Sequence, residues 1–69
     1  MFGYVKKDEV LEILRMEARI TDRQMGIYSK LATTADNDED KANYWNLSEE
    51  FRIRHDEVLN IISKLRRTI

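Results

Sequence analysis

Apolar residues recur at alternating three- and four-residue steps along two stretches of this chain, and the interval between them lacks that rhythm. The first seam is Leu11, Leu14, Ala18, Thr21, Met25, Tyr28, Ala32 and Ala35. Such spacing keeps side chains on one face of an α-helix. It predicts a helix from about Lys6 to Ala35, with Asp8 and Glu9 in its first turn, where negative charge favours the helix dipole. Two further lines run beside the seam: Val10, Glu17, Gln24 and Leu31, then Ile13, Ile20 and Ile27. At about 100° per residue the three lines cover an arc of roughly 160°. That is wider than a two-stranded coil needs, so this helix is expected to touch more than one neighbour.

The second seam is Tyr44, Ser48, Phe51, His55, Val58, Ile62, Leu65 and Ile69. Leu47, Arg54 and Ile61 flank it on one side, and Trp45, Arg52 and Leu59 on the other. It predicts a helix from about Asp38 to Arg67, with Lys64, Arg66 and Arg67 placed to match its negative end. Between the seams, Thr33 to Asp40 is rich in Asp and Asn, which favour turns. Asp36 or Asp38 is the expected N-cap, and Asp36 with Glu39 has the spacing of a capping box. An EF-hand does not fit: the stretch has no Gly for the sharp turn and no Glu at the closing position. Residues 1–5 read as an N-terminal arm carrying Phe2 and Tyr4.

The fold expected is all-α. Two long helices, 6–35 and 38–67, joined by a turn at 36–38, must lie antiparallel as a hairpin. Each is about 40 Å long at 1.5 Å per residue. Antiparallel pairing sets residues whose numbers total about 75 at the same height. Two helices do not enclose a core between them. The economical partner is a second copy, giving a homodimeric four-helix bundle with two-fold symmetry.

Composition narrows the picture. The 69 residues make a single helical-hairpin domain. With no Cys and one His, disulfides, thiolate metal sites and an ordinary closed zinc site are ruled out. No Pro and two Gly leave hairpin turn chemistry for a β-sheet missing. A formal net charge of −1 gives no general pull toward nucleic acid or membrane. No apolar run approaches the roughly 18 residues of a membrane span, and a cytoplasmic protein without membrane contact is expected. The charge is unevenly spread. Residues 1–35 carry six basic and five acidic groups, 36–57 three basic and eight acidic, and 58–69 three basic.

Candidate chemistry gathers in the middle. At matching heights the hairpin would hold Glu17, Thr21 and Gln24 from the first helix and Arg52, Arg54 and His55 from the second, between apolar ends. Stretches Tyr28–Ala32 and Leu47–Glu50 with His55 give the segment from Glu17 to Leu59 a cadence that resembles rubrerythrin-like and other ferritin-like proteins. That resemblance implies a carboxylate-bridged metal site built on Glu-x-x-His. Here the residue three before His55 is Arg52, and no carboxylate shares the histidine's face within a turn, so no metal ligands and no cofactor are assigned. Acid–base work by Glu17 and His55 lacks a nucleophile, a phosphate loop or a pocket, so no catalytic residue is assigned and no enzyme is expected. The reading adopted is a structural polar layer of Glu17, Thr21, Gln24, Arg52 and His55 that fixes register and pairing. A second possibility is a nucleic-acid face of Arg15, Arg19, Arg23 and Lys30, which resembles the Rop-type RNA-binding regulators in architecture alone. The expected function is non-catalytic interaction or assembly, with the chain itself as first partner and another protein as second.

Overall fold

A computed structural model describes residues 6–67 of the chain. It has two elements, α1 (Lys7–Thr34) and α2 (Asp38–Arg67), packed antiparallel into a rod with extents of 50 × 18 × 17 Å. The expected helices end within a residue of these bounds. The arm at 1–5, with Phe2 and Tyr4, and the last seam position, Ile69, lie outside the described residues.

The register follows the pattern of the seams. Thr21 meets His55, and Ser29 meets Ser48, pairs whose numbers total 76 and 77. Every described seam position in both helices is buried or half-buried. The buried set is small: Leu11, Ala18, Ala32 and Val58, with Thr21 and Ser48. Among the described residues no large side chain is fully buried. Four of these six are small, and the larger seam residues Leu14, Met25, Tyr28, Phe51, Ile62 and Leu65 are half-buried. The flanking lines fare differently: Ile13, Ile20 and Ile27 are 62%, 51% and 45% exposed.

The ends of the helices are specified locally. Lys6 has extended backbone (φ −72°, ψ 147°) and no side-chain cap. Its carbonyl accepts from the N–H groups of Glu9 and Val10 at 3.0 and 3.1 Å. At the other end Ala35 turns to extended backbone (φ −65°, ψ 140°), and Thr33 and Thr34 donate back to the Lys30 carbonyl at 2.8 and 3.1 Å. No described residue needs a positive φ, which is why this connection works without glycine.

The cap of α2 corrects the sequence reading. It is Asn37, one residue away from both Asp36 and Asp38. Asn37 Oδ1 accepts from the Asp40 N–H at 2.8 Å, and its amide Nδ2 donates to Asp40 Oδ2 at 3.0 Å. An asparagine supplies both an acceptor and a donor. An aspartate there would satisfy the N–H but set two carboxylates against each other. Asp38, Glu39 and Asp40 then fill the first turn, at the positive end of the dipole. Replacing Asn37 with Ala should lower stability by about 1 kcal/mol. Urea denaturation followed by circular dichroism checks this, and an unchanged midpoint would dissociate the cap from stability.

Candidate functional site

The middle of the hairpin holds a compact polar contact. Thr21, only 2% exposed, lies where its hydroxyl reaches the carbonyls of Glu17 and Ala18, each at 3.0 Å. The same oxygen is 3.0 Å from Nδ1 of half-buried His55. With its proton engaged by the backbone, the hydroxyl accepts from the imidazole Nδ1–H. The histidine is thus tied to a neutral group on the facing helix.

A second polar contact lies about two turns away. Ser29 and Ser48 hydroxyls are 2.7 Å apart, and Ser48 Oγ also reaches the Met25 carbonyl at 3.1 Å. The seam pattern placed Ser48 inside but gave Ser29 no role. Its sum with Ser48, close to that of the other facing pairs, was the clue available. Three half-buried aromatic rings stack across the helices beside the second contact. Tyr28 stacks on Phe51 with centroids 5.4 Å apart and on Tyr44 at 6.4 Å. The Arg54 guanidinium lies 5.3 Å from the Phe51 centroid, a cation–π contact that the i, i+3 spacing permits.

The expected layer is therefore divided within one hairpin. Thr21 and His55 are joined, and Gln24 is half-buried beside them. Glu17 and Arg52 are exposed. Arg52 turns outward along its own helix and pairs with Glu49 and Asp56. The hydrogen bond from Arg52 holds the Glu49 carboxyl below the ordinary glutamate value, against the opposing effect of desolvation and with help from the arginine's charge. Reciprocally, the bond to Glu49 raises Arg52. Three residues one helical turn apart satisfy each other in water, and the seam loses its arginine. No group of three or more His, Asp or Glu among the described residues is arranged to hold a metal ion.

Two other surfaces remain. Arg15, Arg19, Arg23 and Lys30 are all exposed on the outer side of α1. Elsewhere on α1, Ile13, Ile20, Ile27 and Leu31 stand within an arc of about 40° at 100° per residue. Leu31 is 39% exposed. An open groove lined by Ile27, Lys30, Leu31 and Thr34 runs along this stripe, and another lies beside Met16 and Ile20. These two, and a third beside Leu59, Ile62 and Arg66, are open grooves rather than enclosed cavities. Among the described residues, no helix is long and apolar enough to cross a membrane.

Two outcomes follow from this geometry. Thr21→Val keeps the shape but removes the hydroxyl, leaving His55 Nδ1 without its partner. It should cost about 1 kcal/mol in thermal or urea unfolding. Glu49 should titrate below an ordinary glutamate in carboxyl-carbon NMR, and Arg52→Ala should return it to the usual range. Because the folded-state value is lowered, the small stabilisation from Glu49 is complete above the unfolded glutamate range. It fades as pH falls through the folded value.

No family model matches the chain, and neither the curated proteins nor the solved structures compared with it include a match.

Proposed function

We propose that this protein is a non-catalytic helical hairpin that works by interaction and assembly, associating with itself through its apolar helix faces. The observation that carries this reading is the stripe of Ile13, Ile20, Ile27 and Leu31 on α1, left 62%, 51%, 45% and 39% exposed in a single hairpin. Single exposed apolar residues are ordinary. Four on one face of one helix, with no large side chain fully buried among the described residues, are a surface awaiting cover. Small chains commonly need a partner to complete a core. The polar contacts favour the same reading over catalysis: Thr21, His55, Ser29 and Ser48 are spent on holding the helices in register.

Nucleic-acid binding is the alternative, and the exposed row of Arg15, Arg19, Arg23 and Lys30 favours it. Glu12 and Asp22 interrupt that row, and the net charge of −1 works against it. Salt-dependent binding to RNA or DNA that is lost when the three arginines become alanine would make this the better reading.

Light scattering at micromolar concentration should give a mass twice that of the chain. Ile20→Glu, at the middle of the stripe, should weaken association at least about ten-fold, as expected when an unpaired charge is buried in an interface. A folded monomer for the unaltered protein would overturn the proposal.

A further inference from the structure

We infer that two hairpins pair about a two-fold axis that crosses α1 near residue 22 and α2 near residue 54, so that the loop of each copy lies beside the open end of the other. This rests on the self-association proposed above and names its geometry.

The first support is that the lines flanking the buried seams keep their spacing when reversed, with Ile13, Ile20, Ile27, Leu31 and Ile61 exposed on them. On α1 the positions Val10, Ile13, Glu17, Ile20, Gln24, Ile27 and Leu31 alternate in three- and four-residue steps. Reversed about residue 22, Ile13 falls opposite Leu31, Ile20 opposite Gln24 and Glu17 opposite Ile27, while Val10 meets Thr34. A two-fold interface demands this, since the same patch must serve both partners. On α2 the line Leu47, Arg54, Ile61 reverses onto itself about residue 54. The two centres are level: Thr21 and His55, which meet across the hairpin, have numbers totalling 76, and so do 22 and 54. One axis therefore serves both helices.

Both stripes also lie on one side of the hairpin. Each is displaced from its buried seam in the same rotational sense, and in an antiparallel pair of right-handed helices that sense points to one side. Among the described residues, the other side offers Trp45 and Leu59, 14 positions apart, while Met16 and Ile53 stand singly on the outer faces.

Charge chooses among the ways two such faces could meet. A parallel α1–α1 contact would set Glu17 against its own copy. An arrangement with both loops at one end would gather like charges. At the loop end Asp36, Asp38, Glu39 and Asp40 against Lys41 leave −3. At the open end the described residues Lys6, Lys7, Lys64, Arg66 and Arg67 against Asp8 and Glu9 leave +3. Loops at opposite ends bring each −3 beside a +3, and complementary potentials set orientation more than they set affinity. Arg54 then meets its copy at the axis, with Glu50 and Glu57 of both chains within a turn to offset the charge.

The chain has no cysteine, so engineered thiols report the geometry cleanly. Ile13→Cys and Leu31→Cys proteins are refolded singly and as a mixture, oxidised, and run without reductant. The same is done with Ile13→Cys and Ile61→Cys. A third set, Leu47→Cys with Ile61→Cys, probes α2 independently should a change in α1 disturb folding. The expected result is a disulfide dimer in the 13/31 and 47/61 mixtures. None should form from any single variant or in the 13/61 mixture. Positions 13 and 13 would be 18 residues, about 27 Å, apart in height, far beyond disulfide reach. Linkage in the 13/61 mixture places the loops together and overturns the inference. Linkage by Ile13→Cys alone makes the pair parallel and also overturns it. A dimeric mass with no linkage in any set moves the interface elsewhere, leaving self-association standing. A monomer removes both proposals.

Discussion

Everything in this molecule follows from one limitation: a helix in a two-helix hairpin can bury one narrow stripe. Most of the buried residues on that stripe are small: Ala18, Thr21 and Ala32 on α1 and Ser48 on α2, beside Leu11 and Val58. Close approach lets hydroxyls on one helix reach the other, and so the register is held by Thr21 with His55 and by Ser48 with Ser29 and the Met25 carbonyl. Directional bonds of this kind fix height in a way that alkyl packing does not. Their cost is a thin core, because small residues bury little apolar area.

The thin core explains where the larger apolar residues go. With the seam occupied, Ile13, Ile20, Ile27 and Leu31 have no place inside a single hairpin. Their lines are rotated off the seam by too much to turn back. The same rotation places Leu47 and Ile61 of α2 beside them. A helix face of this composition is costly in water, and a second copy of the same face is its simplest cover. Function, in this reading, is a consequence of incomplete burial, and the polar contacts are what keep the face in a fixed shape.

The charged residues divide between two tasks. Glu49, Arg52 and Asp56 neutralise one another along α2 and contribute little beyond solubility, as exposed pairs do. The charges at the two ends of the rod are opposite in sign and separated by the length of the helices. In the proposed pair of hairpins, that separation is what would set orientation, each end drawing the opposite end of the other copy.

The fold was legible in the chain because its elements are long and strongly periodic. The seams, their lengths and the height at which the helices face each other all follow from spacing, and Thr21 beside His55 is where that height places them. Three features needed the folded chain. Arg52 sits next in sequence to a seam residue, and spacing alone grouped it with His55; carboxylates one turn away on either side draw it outward. The cap fell on Asn37 because a side chain with both a donor and an acceptor fits against Asp40, a distinction that the run of Asp and Asn does not reveal by itself. Ser29 joined the core because the helices come close enough for a short hydroxyl to cross. Periodicity thus determined which faces meet and at what height. Tertiary structure decided which polar side chains enter the contact, since that depends on distances of a few tenths of an ångström between particular atoms.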